Sequence, residues 1–120
     1  MKLVMVGTGY VGLVSGACFA EFGFETVCVD KDQNRIEKIK KGICPFFEPG
    51  MDDLLVKHSQ KTKLLSFTTS LPEAMQNANI VFITVGTPSR RIEDEADLTS
   101  VWEVAYEIAK NIKSYCCLLY

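Results

Sequence analysis

The stretch VMVGTGYVG, residues 4–12, places three glycines directly behind an apolar run. The run predicts a buried strand, and the small and apolar residues that continue to Gly23 have the spacing of a helix. A strand, a glycine turn and a helix in this order form a dinucleotide-binding turn. Gly7 would allow the sharp turn, Gly9 would let a pyrophosphate approach the backbone, and Gly12 would let the helix lie close to the sheet. The free N–H groups and the positive dipole end of the helix would then bind the phosphates.

A carboxylate at the end of the next predicted strand supports this interpretation of the glycines. The run ETVCV, residues 25–29, is β-branched and apolar and leads to Asp30, eighteen positions after Gly12. Dinucleotide sites use a carboxylate about 20 residues beyond the glycines to accept hydrogen bonds from the adenosine ribose hydroxyls. Lys31 and Arg35 could instead pair with the 2′-phosphate of NADP, but Asp30 would repel that phosphate. The pattern therefore favours NAD over NADP.

The remaining segments predict an α/β chain. Further strands are predicted at residues 64–68, 79–85 and 115–120, and further helices between Asp30 and Gly42 and at residues 51–59, 70–78 and 98–113. The nearly continuous apolar run at 79–85 is typical of a parallel strand that is covered on both faces. We predict a Rossmann-type doubly wound, mainly parallel sheet, truncated after about five strands where such domains commonly have six.

Hydrophobic spacing also predicts which side chains are buried. Cys18 and Cys28 lie in apolar patterns and are expected to be buried thiols. His58, the single histidine, has no nearby partner in the sequence, so we expect it to face solvent. The charged residues 90–97 predict a solvated loop. The residues expected to face inward are Ile36, Ile39 and Ile43 in the second helix and Val101, Val104, Ala105 and Ile108 in the last helix.

Composition and charge exclude several classes of function. A net charge of −2 provides no basic excess to neutralise nucleic acid phosphates. No apolar run approaches the roughly 20 residues of a membrane span, and the first strand begins too early to leave room for a signal peptide. The five cysteines lack metal-ligand spacing and are expected to be reduced thiols of a cytoplasmic protein. No convincing set of acid, base and nucleophile is present, so we expect cofactor binding without catalytic or metal-ligating residues.

A second turn, Gly86-Thr87-Pro88-Ser89, follows the apolar run that ends at Val85. Ligands of open α/β sheets lie beyond the carboxyl ends of the strands. This turn should therefore lie beside the turn that carries Gly7, Gly9 and Gly12, here called the glycine turn, and help to hold the cofactor.

Four stretches of the chain resemble the UDP-glucose/GDP-mannose dehydrogenase family. They are GTGYVGL at residues 7–13, VD at 29–30, FEPGM at 47–51, and VGTPS at 85–89 with ADL at 96–98. Their order and spacing agree with the family across essentially the whole chain. The resemblance implies that Val11, Asp30, Arg35 and the turn at 85–89 contact NAD. The predicted cofactor-binding residues are therefore Gly7, Thr8, Gly9, Tyr10, Val11, Gly12, Asp30, Arg35, Val85, Gly86, Thr87, Pro88 and Ser89.

The resemblance also implies a parent reaction and a larger parent protein. Family members pass two hydrides from C6 of UDP-glucose to NAD and form UDP-glucuronate, through an intermediate held on a cysteine with lysine, asparagine, aspartate and glutamate assisting. The family's positions for these residues fall after residue 120, and none of the five cysteines here matches the nucleophile. We therefore expect residues 1–120 to form an NAD-binding domain that is incomplete at its C-terminal end, without the central helical and UDP-sugar-binding domains.

On this interpretation the chain alone is inactive, and its parent binds UDP-glucose and forms a homo-oligomer. Two alternatives stay open. GDP-mannose could replace UDP-glucose, because the shared motifs do not contact the sugar nucleotide. The chain could also be a nucleotide-binding module with no catalytic function.

Overall fold

Strands and helices alternate along the chain in the computed structural model, which describes residues 1–89 and 95–120. The apolar runs form the strands, which are β1 (Lys2–Val6), β2 (Glu25–Val29), β3 (Leu65–Thr68), β4 (Ile80–Ile83) and β5 (Cys117–Leu119). The segments with helical spacing form the helices, which are α1 (Tyr10–Glu21), α2 (Gln33–Lys40), α3 (Met51–Val56), α4 (Leu71–Ala74) and α5 (Thr99–Asn111). A π-helical turn, Lys57–Lys61, continues α3.

The strands of the described residues are all parallel and lie in the order β3-β2-β1-β4-β5. β1 is central, because Val4 pairs with Val27 of β2 on one side and with Val81 of β4 on the other. The direction of winding reverses beside β1, which is where a doubly wound sheet forms its ligand crevice. The predicted Rossmann-type α/β class is therefore confirmed.

Helices cover both faces of the sheet, so the domain has two apolar cores. Met5 and Cys28 belong to the core under α1, α2 and α3, whereas Val4 and Val27 belong to the core under α4 and α5. Neighbouring strand residues alternate between the two cores because successive side chains of a strand point to opposite faces. The residues of α5 predicted to face inward do pack on the second core, namely Val101, Val104, Ala105 and Ile108.

The face of α1 that carries small residues lies against the sheet. Gly12, Gly16 and Ala20 are buried, and a Cβ at Gly16 would lie 2.7 Å from Sγ of Cys28. Glycine inside a helix costs about 1 kcal/mol relative to alanine. Close packing of α1 on β2 offsets this cost. Burial also raises the pKa of the Cys28 thiol to about 12, so this predicted core cysteine stays protonated.

Two residues that we predicted to be buried are exposed. α2 ends at Lys40, so Ile43 lies beyond the helix, leaves its buried stripe and is 52% exposed. Cys18 is exposed on α1, whose inner positions are occupied by Ala17 and Ala20 instead. Nearly every residue of α1 is small or apolar, so composition does not distinguish the inner face of this helix from the outer one.

His58 is 3% exposed, so the expectation that it faces solvent was wrong. Its Nε2 contacts the carboxylate of Glu21 at the end of α1, and its Nδ1 lies 3.0 Å from the hydroxyl of Thr62. The ammonium of Lys57 donates to both carboxylate oxygens of Glu21 at 2.8 Å. Glu21 is 37 residues from His58 along the chain, so only tertiary packing reveals this partner.

β4 is shorter than the strand that the sequence predicts. The strand expected at residues 79–85 ends at Ile83, and Ser89 forms an isolated antiparallel bridge with Ala96. Of the solvated loop predicted at 90–97, residues 90–94 lie outside the described residues. No helix in the described part of the chain is long and apolar enough to span a membrane.

Candidate dinucleotide site

β1 ends in a tight turn at Gly7, where φ is +109°. Residues with a side chain rarely adopt this backbone conformation. The N–H of Gly7 donates to the carbonyl of Val29 at 2.7 Å, and a Cβ at Gly7 would lie only 2.7 Å from the carbonyl oxygen of Thr84. The turn is therefore confined between the ends of β2 and β4, where only glycine fits.

α1 begins after Gly9 with an open N-terminus. No side chain of the described residues caps the helix, so the N–H groups of its first turn have no side-chain acceptor. Apart from neighbouring backbone, nothing described lies within 4 Å of the position that a Cβ of Gly9 would take. The helix start therefore has room for an anion, which the positive end of the helix dipole favours.

Gly12 packs against the glycine turn itself. A Cβ at Gly12 would overlap the carbonyl oxygen of Gly7 and would lie 2.5 Å from Oγ1 of Thr84. The Thr84 hydroxyl donates to the carbonyls of Val6 at 2.9 Å and Gly7 at 3.2 Å. Gly12 therefore permits the close approach that we predicted, with the turn and the end of β4 as its partners.

The carboxylate of Asp30 is bound directly to the glycine turn. Its Oδ2 accepts the backbone N–H of Thr8 at 3.0 Å and the hydroxyl of Thr8 at 2.6 Å. Its Oδ1 accepts the N–H of Asp32 at 3.0 Å, just before α2. The guanidinium of Arg35 lies 3.8 Å from Oδ2, and the side chain of Asp32 caps α2 by accepting the N–H of Arg35. Asp30 thus links the glycine turn to the start of α2.

These contacts keep Asp30 ionised. Partial burial of the carboxyl group opposes ionisation, but the Thr8 hydroxyl, the N–H groups of Asp32 and Thr8, and the Arg35 guanidinium together outweigh it. The pKa of Asp30 is therefore below its ordinary value of 3.8. A fixed negative charge lies beside the glycine turn at neutral pH.

A groove of about 540 Å³ opens at the carboxyl edge of the sheet, beyond the ends of β1, β2 and β4. Asp30, Glu103 and Glu107 contribute three carboxylates to its wall, whereas Lys31 and Arg35 contribute two basic groups. The groove therefore has no excess of positive charge for an additional phosphate. Its other lining residues are Val6, Gly7, Thr8, Gly9, Val29, Thr69, Leu71, Thr84, Val85, Gly86, Ser100 and Val104.

The groove brings together about half of the predicted cofactor-binding residues. Those that line it are Gly7, Thr8, Gly9, Asp30, Arg35, Val85 and Gly86. Those that lie outside its lining are Tyr10, Val11, Gly12, Thr87, Pro88 and Ser89. Tyr10 is 61% exposed and stacks on Phe46 with ring centroids 4.1 Å apart, and Val11 is 66% exposed.

Sequence reasoning missed the wall that α5 contributes to the groove. The α5 residues that line the groove are three, one and three positions apart, which places them on one side of the helix. They are Ser100, Glu103, Val104 and Glu107. Serine and glutamate at these positions are typical of a solvated face, so the pattern indicated solvent rather than a ligand. Among the described residues, no three His, Cys, Asp or Glu side chains are grouped so that they could hold a metal ion.

A doubly wound parallel sheet with a glycine turn, an open helix start and a strand-end carboxylate around one groove defines a dinucleotide-binding domain. The sequence model of the UDP-glucose/GDP-mannose dehydrogenase family, NAD binding domain, matches residues 1–119. The chain therefore belongs to the UDP-glucose/GDP-mannose dehydrogenase family, and NAD is the cofactor of this domain.

The chain is similar to curated enzymes over nearly all of its length. The UDP-glucose 6-dehydrogenase of Rhizobium meliloti is 50% identical over 115 residues, which are 96% of this chain and 26% of that protein. The UDP-glucose 6-dehydrogenase TuaD of Bacillus subtilis is 44% identical over 114 residues, which are 95% of this chain and 24% of that protein. The chain thus spans about a quarter of the length of these relatives.

Solved structures show the same similarity. A ternary complex of GDP-mannose dehydrogenase from Pseudomonas aeruginosa is 35% identical with a TM-score of 0.88, and the match covers 95% of this chain and 26% of that one. A UDP-glucose dehydrogenase from Pyrobaculum islandicum is 32% identical with a TM-score of 0.85, and the match covers 92% of this chain and 25% of that one.

Proposed function

We propose that this chain is the NAD-binding part of a UDP-glucose 6-dehydrogenase. Two curated relatives with that name are 50% and 44% identical over almost the whole chain. In the parent reaction, UDP-glucose and water would yield UDP-glucuronate while two hydrides pass to two molecules of NAD. NAD supplies the hydride acceptor, and the residues of this chain bind and orient it. The observation that carries the cofactor role is the Asp30 carboxylate, which lies beside the glycine turn in the groove, whereas the choice of UDP-glucose rests on the names of the relatives.

Asp30 would bind the adenosine end of NAD. A carboxylate at the end of the second strand accepts hydrogen bonds from the ribose hydroxyls in dinucleotide sites. Val85 and Gly86 line the same groove after β4, so they would lie against the other side of the adenosine. Arg35, whose guanidinium side chain is 41% exposed, would lie over the ribose or the adenine ring.

The pyrophosphate would lie at the start of α1. The open space at Gly9 lets an anion approach the backbone, and the uncapped N–H groups of the first helical turn can donate to it. Thr8 would not donate to the pyrophosphate, because its hydroxyl and its N–H both donate to Asp30. It would contribute only to the shape of the glycine turn.

The predicted site residues outside the groove would contact the nicotinamide half of NAD. Tyr10 and Val11 follow Gly9 and are exposed on the first turn of α1, while Thr87, Pro88 and Ser89 follow Gly86 and are exposed beyond β4. Both segments begin where the lining of the groove ends. Gly12 would act only through packing, because it is buried against the glycine turn.

Substrate oxidation would need residues from a further part of the parent. The thiols of Cys28, Cys44 and Cys116 have pKa values raised above the ordinary value, mainly by burial. A raised pKa lowers the fraction of nucleophilic thiolate at neutral pH. Because the chain spans about a quarter of the length of its curated relatives, we infer that it binds cofactor without oxidising the sugar nucleotide.

Calorimetry and an absorbance assay on the purified chain test this proposal. We expect heat of binding when NAD is added, no heat of binding from UDP-glucose, and no NADH when both are present. Failure of the folded chain to bind NAD would contradict the proposed function. NADH formation in proportion to the chain concentration would contradict the inference that catalytic residues lie elsewhere, and heat-unfolded chain serves as the control.

GDP-mannose is the second candidate for the parent's sugar nucleotide. The structure of GDP-mannose dehydrogenase matches 95% of this chain, so the NAD-binding domain does not discriminate between the two substrates. Kinetic assays of the full-length parent with each sugar nucleotide separate them. We expect NADH formation with UDP-glucose. NADH formation with GDP-mannose but not with UDP-glucose would support GDP-mannose as the substrate.

A further inference from the structure

We propose that Thr8 is the residue that positions the Asp30 carboxylate for the selection of NAD over NADP. This inference rests on the proposed cofactor role of the groove. It assigns to Thr8 a structural task toward Asp30 in place of direct contact between its hydroxyl and the cofactor.

Thr8 is fully buried and gives both of its donors to one carboxylate oxygen. Its hydroxyl lies 2.6 Å and its backbone N–H lies 3.0 Å from Oδ2 of Asp30. A buried hydroxyl without a partner destabilises the folded state, so the side chain of Thr8 is held in this orientation. Rotation of the Asp30 carboxylate would break at least one of the two bonds, and the carboxylate is therefore fixed before any ligand binds.

The fixed carboxylate has little acceptor capacity left. An ionised carboxylate offers about four acceptor positions. Thr8 occupies two of them on Oδ2, and the N–H of Asp32 occupies one on Oδ1. Asp30 would therefore accept one ribose hydroxyl, through the remaining position on Oδ1. This arrangement is more specific than a freely rotating carboxylate that could accept either hydroxyl through either oxygen.

The same arrangement disfavours a 2′-phosphate. Asp30 keeps its negative charge close to the ribose, and Arg35 lies 3.8 Å from Oδ2, where it is drawn toward Asp30. Glu103 and Glu107 line the same groove, and Glu107 is paired with the ammonium of Lys110 at 2.9 Å, so Glu103 adds the further negative charge. Lys31 is the remaining basic group in the lining. A carboxylate released by loss of the Thr8 hydroxyl would bind the ribose less well and would leave Arg35 freer to pair with a phosphate.

The test compares Thr8→Val, which removes the hydroxyl at nearly constant shape, with Thr8→Ser, which keeps it. Dissociation constants for NAD and NADP are measured by calorimetry on both variants and on the wild-type chain. We expect Thr8→Val to weaken NAD binding about tenfold and to lower the NAD/NADP affinity ratio, because the Asp30 carboxylate is no longer held in the orientation that accepts the ribose hydroxyl. Thr8→Ser keeps the hydroxyl, so its NAD affinity and its NAD/NADP affinity ratio should be close to those of the wild type. Thr26→Val is the matched control, since Thr26 is also fully buried and its hydroxyl donates to the carbonyl of Phe24 at 3.1 Å, but it does not line the groove.

The pH dependence of NAD binding separates positioning from a general loss of structure. Hydrogen bonds to an ionised carboxylate lower its pKa, so loss of the Thr8 hydroxyl should raise the pKa of Asp30. As the pH is lowered, Asp30 becomes protonated and NAD binding weakens. We expect this loss of NAD affinity to occur at a higher pH in Thr8→Val than in the wild type or Thr8→Ser. The other charged side chains that line the groove are unchanged in all variants, namely Lys31, Arg35, Glu103 and Glu107.

The outcomes distinguish this inference from the function on which it rests. If the wild-type chain does not bind NAD, the proposed function fails. If the wild type binds NAD and Thr8→Val shows the same affinities and the same pH dependence, the role of Thr8 is contradicted. Should Thr8→Val not fold, Thr8→Ala removes the same hydroxyl without adding bulk and serves the same comparison.

Discussion

Gly12 lies so close to Gly7 that a Cβ atom on Gly12 would overlap the Gly7 carbonyl oxygen. The first turn of α1 therefore folds back directly onto the glycine turn. Gly9, between them, has open space where its Cβ would be. The glycines of one motif thus have different tasks: Gly12 is required by the fold, whereas Gly9 leaves room for a ligand.

We expect Gly12→Ala to destabilise the domain by about 3 kcal/mol or more, since overpacking against rigid backbone costs at least as much as overpacking in a core. Denaturant unfolding followed by circular dichroism measures the change in free energy. Gly9→Ala is the matched control and should unfold within about 0.5 kcal/mol of the wild type. Equal stability of the two variants would contradict the packing described at Gly12.

Replacement of Asp30 should change the choice of cofactor. Asp30→Asn keeps the size of the side chain and removes the charge that would bind the ribose and repel a 2′-phosphate. A charge-assisted hydrogen bond contributes roughly 1.5–3 kcal/mol, so the NAD/NADP affinity ratio should fall by about ten- to a hundredfold. Calorimetric titrations with both cofactors provide the ratio. Asp53→Asn makes the same charge change on α3, outside the groove, and an equal effect there would show that the response is not local to Asp30.

The Glu21–His58 contact should appear in the acid stability of the domain. Hydrogen bonds from Lys57 and His58 lower the pKa of Glu21 below its ordinary value of 4.5. Because the folded pKa is the lower one, this contribution to stability is present above about pH 4.5 and is lost as the pH falls through the folded pKa. Asp30 contributes with the same sign, since its pKa is also lowered.

We therefore expect Glu21→Gln to be less stable than the wild type at neutral pH and to lose less stability on acidification. Unfolding free energies are measured for both chains between pH 7 and pH 3. The difference between the wild type and Glu21→Gln should become smaller as the pH falls. Glu25→Gln, which changes an exposed carboxylate at the start of β2, is the control. If the Glu21→Gln curve runs parallel to the wild-type curve, Glu21 has no lowered pKa.

The edge of the sheet at β5 should promote self-association. Leu118 and Leu119 are 41% and 42% exposed on a strand that pairs only with β4 in the described part of the chain. Exposed strand edges with apolar side chains invite pairing between molecules. We expect light scattering to detect dimers or larger species, and Leu119→Lys to shift the chain toward monomer. Phe22→Lys, which removes another exposed apolar side chain, should have little effect, and an equal effect would argue against association through the edge.

Local pattern was sufficient to predict most of the fold. The glycine turn, the apolar strands and the helical spacing of α5 depend on residues close in sequence, and the structure confirms them. The parallel order of the strands follows from the alternation of strands and helices. Ile43 was misplaced because helical spacing continues past the end of α2, which is set by the turn at Lys41 and Gly42.

Contacts between distant segments could not be predicted in this way. His58 finds a partner because α1 brings Glu21 to it, and Glu103 and Glu107 reach the groove because α5 packs on the face of the sheet beside β4. The bond between Thr8 and Asp30 has the same origin. Asp30 was recognised from its place at the end of a strand, but the hydroxyl that orients it was seen only in three dimensions.

The affinity of the isolated chain for NAD, compared with that of Gly9→Val, tests the central claim most directly. Gly9 has an extended φ and ψ that valine can adopt, and its Cβ position is open, so the variant should remain folded. The valine side chain would occupy the space of the pyrophosphate. We expect calorimetry to show NAD binding to the wild type and none to Gly9→Val, with equal unfolding free energies. Equal NAD affinity for the two folded chains would contradict a cofactor site at the glycine turn.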